Sequence, residues 1–122
     1  MIVTNLRIAV IGDKDFDNYA QMESVLNTFI GIHEEKTISI VSGGNDGAHS
    51  SAEKYASEKG LKFDCYPADT GRYGKVAGFI RNKELVGASD RVIAFWDGRT
   101  SETKNAIEEA KRIDIPSYIV TP

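Results

Sequence analysis

A glycine-rich stretch directly after an apolar run is the strongest local sign of ligand-binding chemistry in this sequence. Ser42, Gly43, Gly44 and Gly47 lie between the predicted strand Thr37–Val41 and a segment with helical spacing. Glycine lets the backbone approach a ligand closely, and the first N–H groups of a following helix attract anions. We therefore expect these four residues to bind a phosphate, although an ordinary strand-to-helix turn has the same composition.

A second set of side chains with suitable chemistry follows the third apolar segment. Arg72, Tyr73 and Lys75 occupy one loop, and Arg81 follows in a predicted helix. Cations and an aromatic ring beside a phosphate site can hold a nucleotide by charge and stacking. The alternative is a solvated surface loop that carries scattered basic residues.

The segment after the fourth apolar run offers a stacking ring and polar groups. Asp97 and Gly98 follow the run, and the Asp97 carboxylate can accept hydrogen bonds from ribose hydroxyls. Trp96 can stack on a base, with core or dimer packing as its alternative. Thr103 is placed to contact a phosphate, while Ser101 and Thr103 are both candidates to cap the helix that follows.

The last three candidate binding residues, Gly12, Asp13 and Lys14, lie in the loop after the first strand. Its single glycine does not match the G-x-G-x-x-G dinucleotide fingerprint, and no loop ends in the GK[ST] of a Walker A motif. Cys65 falls in a predicted strand and is expected to be a small core residue. The spacing of Cys, His and Asp residues indicates no zinc site, so neither a metal nor a cofactor is expected.

Strand-like and helix-like segments alternate along the chain, which is typical of a parallel sheet. Helical spacing predicts four helices, and the third of them covers about Val76–Ala88. The predicted strands are Arg7–Ile11, Thr37–Val41, Lys62–Tyr66, Arg91–Phe95 and Ser117–Val120.

The expected fold is a single-domain, Rossmann-like α/β fold over residues 1–122, with helices on both faces of a five-stranded parallel sheet. Right-handed crossovers leave the strand orders 3-2-1-4-5 and 2-1-3-4-5 as the common choices. We favour 3-2-1-4-5, because it brings the loops after strands 1, 2 and 4 to one crevice.

The net charge and the distribution of apolar residues limit the kinds of partner that this protein can bind. The 122 residues carry a net charge of −3 and one cysteine. Because binding to a polynucleotide usually requires a surplus of basic residues, nucleic acid is not expected as a partner. No run of 18 apolar residues indicates a membrane span, and a cytoplasmic location is expected.

These loops, taken together, resemble the YspA-like branch of the SLOG superfamily. That superfamily includes the Lonely Guy phosphoribohydrolases and the DNA-processing protein DprA. The matching stretches are Ile8–Gly12 with Asp15-Phe16, Ser42–Gly44 with Gly47-Ala48, Pro67-Ala68, Tyr73–Lys75 with Ala77-Gly78, Arg81-Asn82, and Ala94–Gly98. The resemblance implies a Rossmann-like fold, nucleotide-derived ligands and self-association into a homo-oligomer.

The chain departs from this pattern at several positions. Asp13 and Lys14 stand where relatives commonly have Ser and Arg, and His49 replaces a usual Asp. Glu102 replaces a Gly before the last helix. Ala106 aligns with the catalytic glutamate of the Lonely Guy enzymes.

Two functional hypotheses follow. The first is a protein that binds a nucleotide-like small molecule as a sensor, carrier or sequestering protein. The second is a hydrolase of an N-glycosidic or phosphate bond, in which Arg81 holds the phosphate. Its catalytic residues are not identified by any motif, and the candidate carboxylates are Asp97, Glu102 and Glu84.

Overall fold

Five parallel strands form one sheet in the computed structural model, which describes residues 5–33, 37–44 and 47–122. The strands lie in the order β3-β2-β1-β4-β5, so the predicted strand order is confirmed. Each neighbouring pair is parallel. The strands are β1 (Asn5–Gly12), β2 (Thr37–Ser42), β3 (Lys62–Cys65), β4 (Arg91–Phe95) and β5 (Ser117–Val120).

The helices pass between the strands and cover both faces of the sheet. They are α1 (Tyr19–Ile32), α2 (Ala48–Lys59), the single turn α3 (Thr70–Tyr73), α4 (Ala77–Gly87) and α5 (Ser101–Arg112). A 3₁₀ turn, Gly74–Val76, joins α3 to α4. The four predicted helices are therefore present, and the loop after β3 contains helical turns that the sequence did not predict.

Alternate residues of β1 enter two separate cores, as expected for a strand buried on both faces. Ile8 and Val10 pack in the core that α1 and α2 cover. Ala9 and Ile11 pack in the other core, against residues of α4 and α5. Because both faces of β1 are covered, its loop is held between two layers of helices.

Two local expectations were wrong. Cys65 is exposed, because β3 is an edge strand that pairs only with β2. Ser101 and Thr103 lie inside α5, and its N-cap position is occupied by Thr100. Among the described residues, no helix has the length and hydrophobicity needed to span a bilayer.

Arg7 connects β1 to elements on the α4 side of the sheet. Its Nε donates to the Ala88 carbonyl at 2.6 Å, and its Nη1 forms an ion pair with Asp64 at 2.9 Å. Its Nη2 donates to the Tyr66 hydroxyl at 3.3 Å. Since the Arg7 and Asp64 side chains are 25% and 30% exposed, these bonds form in a largely desolvated setting.

The Arg7→Ala substitution is expected to lower the free energy of unfolding by about 1–3 kcal/mol, because it leaves the Asp64 carboxylate and the Ala88 carbonyl without this partner. Urea denaturation measures the change. Lys104→Ala, at an exposed position of α5, is the control and should stay within about 0.5 kcal/mol of the unsubstituted protein. An Arg7 variant as stable as the control would contradict the assigned role.

Candidate functional site

A cavity of about 770 Å³ opens beyond the carboxyl ends of β1, β2 and β4. The strand order reverses between β1 and β4, so the loops that follow them diverge and leave a crevice. The cavity brings together most of the residues that the sequence singled out. The candidates in its wall are Gly12, Asp13, Lys14, Ser42, Gly43, Gly44, Arg81, Asp97, Glu102 and Thr103.

Gly43 of the glycine turn contacts Arg81 of α4. Arg81 Nη1 donates to the Gly43 carbonyl. A Cβ atom at position 43 would lie 2.6 Å from that same nitrogen. A side chain at position 43 would therefore displace the Arg81 guanidinium from its present place.

Two backbone N–H groups near the glycine turn already have acceptors within the chain. Gly44 N–H donates to His49 Nδ1 at 2.9 Å, and Ala48 N–H, the first of α2, donates to the Asp13 carbonyl at 3.2 Å. A phosphate at this turn would therefore rely on Arg81 and Lys14 more than on unpaired helix donors.

Ser42 serves the fold at the base of this turn. Its side chain is buried, and its hydroxyl donates to the Val10 carbonyl at 3.0 Å. This bond ties the end of β2 to β1, and the hydroxyl proton is directed away from any ligand.

Arg81 is 6% exposed and is held by a relay of side chains. Its Nε donates to Asn82 Oδ1 at 3.1 Å, and Asn82 Nδ2 donates to the Glu102 carbonyl at 2.9 Å and to Asn105 Oδ1 at 3.1 Å. Burial lowers the pKa of Arg81, while Glu102 raises it. Arginine remains charged under either influence, so this is a buried cation at the cavity wall.

The side chain of Glu102 lies directly against α4. A Cβ atom at Gly78 would collide with its Oε1 atom. The missing side chain at position 78 is what lets this carboxylate pack beside the helix that carries Arg81.

The Asp97 carboxylate shapes its own loop. Its Oδ1 accepts from Thr100 N–H at 2.8 Å and from Arg99 N–H at 2.7 Å. These two hydrogen bonds lower the pKa of the Asp97 carboxyl. A carboxylate held ionised by backbone donors is a weak proton acceptor, which disfavours Asp97 as a general base.

Asp13 links its own loop to the Asp97 loop and to the first turns of α2 and α5. Its Oδ1 accepts from the Thr103 hydroxyl at 3.0 Å, and its Oδ2 accepts from Asp97 N–H at 3.2 Å. Its carbonyl accepts the Ala48 N–H described above and also Phe16 N–H, at 3.1 Å. Thr103, which we expected near a phosphate, thus has a carboxylate of the chain as its partner.

The remaining candidates lie outside this cavity. Arg72, Tyr73 and Glu84 line a second pocket of about 180 Å³, which shares Arg81 with the first. Lys75 and Gly98 line neither pocket. Lys75 lies exposed in the 3₁₀ turn.

Two further candidates, Trp96 and Gly47, pack against neighbouring elements and do not line the cavity. Trp96 is half-buried against the core on the α4 side and donates its Nε1–H to the Thr100 carbonyl at 3.0 Å. Gly47 packs on the loop after β1, where a Cβ atom would crowd the Asp13 and Lys14 carbonyls. Within residues 5–33, 37–44 and 47–122, no group of three His, Cys, Asp or Glu side chains could hold a metal ion.

Sequence reasoning did not assign a role to Asn82, and it noted His49 only as a departure from the pattern of the relatives. Neighbours in a helix do not normally face each other, so nothing in the sequence indicated that Asn82 would bond to Arg81. His49 lies five residues from Gly44, and its contact depends on how the turn folds back on α2.

Comparisons with known proteins show the fold. No protein-family model matches the chain, and no curated protein matches it significantly. DNA processing protein A from Helicobacter pylori, whose structure was solved for its single-stranded DNA binding mode, is similar with a TM-score of 0.72 and 19% identity. That match covers 98% of this chain and 66% of the other, so the chain spans just under two-thirds of that protein.

A second solved structure, the structural-genomics target TM1055, matches with a TM-score of 0.64 and 15% identity, over 94% of this chain and 72% of that one. Both identities are low, so the likeness concerns the fold alone. The chain thus shares the Rossmann-like fold of DNA processing protein A, as the SLOG resemblance implied, while membership of the YspA-like branch stays a prediction.

Proposed function

We propose that this protein binds a nucleotide or a nucleotide-derived phosphorylated ligand in the cavity beyond β1, β2 and β4. The observation that carries the proposal is the glycine turn at Gly43, packed on the buried cation Arg81 in the wall of a cavity of about 770 Å³. Small-molecule sites usually fall within about 300–1,000 Å³, and in α/β sheets they lie at this reversal of strand order.

The wall offers chemistry for each polar part of such a ligand. Arg81 and Lys14 supply positive charge for a phosphate group. Carboxylates such as Asp15 and Asp17, which are exposed at the mouth of the cavity, can accept hydrogen bonds from ribose hydroxyls. A small ligand can use both sets at once.

The contacts favour binding over catalysis. The Asp97 carboxylate accepts hydrogen bonds from N–H groups of its own loop, and Glu84 lies in the second pocket. Glu102 lines the cavity but packs on Gly78. Among the described residues, none of the three candidates for the hydrolase hypothesis has a second group paired with it as an acid and base would be. A sensor, carrier or sequestering protein is therefore the better-supported function.

The Lys14→Ala substitution should weaken nucleotide binding by about three- to tenfold, because it removes an exposed cation from the cavity wall. Isothermal titration with the 5′-monophosphates of the four ribonucleosides measures this change. Lys75→Ala removes the same charge outside both pockets and is the matched control, for which unchanged affinity is expected.

The same nucleotides should raise the melting temperature of the unsubstituted protein. A ligand at a hundred times its dissociation constant adds about 2.7 kcal/mol of stability. If no phosphorylated nucleoside shifts the melting temperature, or if both lysine variants bind alike, the site is wrongly assigned.

Nucleotides incubated with the protein are expected to stay intact, because no acid/base pair faces the cavity among the described residues. Chromatography after prolonged incubation checks this. Free base or inorganic phosphate that the protein releases, and that Glu102→Gln reduces, would favour the hydrolase instead.

A further inference from the structure

The carboxylate of Asp13 occupies the part of the cavity next to the beginning of α5. The Thr103 hydroxyl, in the first turn of that helix, donates to it at 3.0 Å, and Asp97 N–H donates at 3.2 Å. The first turn of a helix carries partial positive charge and favours an anion. The anion found there belongs to the chain.

The backbone of Asp13 is fixed as firmly as its side chain. Its carbonyl accepts N–H groups from Phe16 and Ala48, and Gly47 leaves the space that this packing needs. Turning the carboxylate out of the cavity would break its bonds to Thr103 and Asp97 while the main chain stayed in place. These bonds therefore hold the Asp13 carboxylate in the cavity wall.

Most of the charges around Asp13 are negative. Among the described residues that line the cavity, five carry carboxylates and two, Lys14 and Arg81, carry a positive charge. The carboxylates are Asp13, Asp15, Asp17, Asp97 and Glu102. Because the carboxylates outnumber the cations, each negative charge that a ligand adds meets net repulsion.

We infer that Asp13 is a specificity-determining residue, which restricts the cavity to ligands with one phosphate group of low charge. A phosphodiester binds more tightly than a monoester, and diphosphates are rejected. The inference rests on the proposed function, since it concerns ligands of the same cavity. Such discrimination by an unfavourable contact is a common route to specificity.

Calorimetric titration with a charge series tests it. The probes are the 3′,5′-cyclic monophosphate, the 5′-monophosphate and the 5′-diphosphate of adenosine and of guanosine. In the unsubstituted protein, affinity should fall by about fivefold with each added negative charge. Asp13→Asn removes the charge and keeps one oxygen acceptor, so it can retain the bond from Thr103 while it gives up the bond from Asp97 N–H.

The expected gain in the Asp13→Asn variant grows with the charge of the ligand. Affinity for the diphosphate should rise by about five- to tenfold, and affinity for the cyclic nucleotide by less than about threefold. Glu108→Gln removes a carboxylate from an exposed position of α5 outside the cavity and should leave the series unchanged. A merely structural role for Asp13 would alter all three affinities alike.

A second measurement needs no variant. Because exposed charges are screened by salt, the preference against the diphosphate should shrink between about 20 mM and about 300 mM salt. The inference is overturned if the ratio of the affinities for the diphosphate and the monophosphate is the same in the Asp13→Asn and unsubstituted proteins, or if that ratio does not change with salt. Either result leaves the proposed function intact. If no probe binds the unsubstituted protein, the proposed function and the inference fail together.

Discussion

The buried guanidinium of Arg81 is the constraint on which the arrangement of the site depends. A charge with so little exposure is costly unless it is paired and hydrogen-bonded. The chain meets that requirement with the carbonyl of Gly43, the amide of Asn82 and the nearby carboxylate of Glu102. These partners come from the loop after β2, from α4 and from α5, so one cation holds three elements of the cavity wall together.

The sheet could be predicted because its signals are local. Apolar runs such as Val92–Phe95 identify strands buried on both faces, and right-handed crossovers leave few orders to choose from. The errors fall where tertiary context decides. The strand segment around Cys65 has the pattern of a strand but lies at the edge of the sheet, so its thiol is exposed.

The sequence predicted many of the residues that line the cavity, but it predicted few of the contacts between their side chains. Loops rich in glycine indicated where the cavity would lie, because strand order alone brings Gly12 and Gly43 together. Sequence could not show that Gly43 makes room for Arg81, or that Trp96 would turn away into a core. Both outcomes depend on side chains that meet only after the helices have packed.

The chain supplies its own acceptors for donors that a phosphate could have used. His49 accepts from Gly44 N–H, the Asp13 carbonyl accepts from Ala48 N–H, and the Asp13 carboxylate accepts from Thr103. Exchanging one acceptor for another yields little free energy, since a hydrogen bond contributes only about 0.5–1.5 kcal/mol net. The same internal bonds fix the positions of the wall residues, which lowers the entropic cost of binding. Affinity must then come from the two cations and from shape, and selectivity from the fixed carboxylates around them.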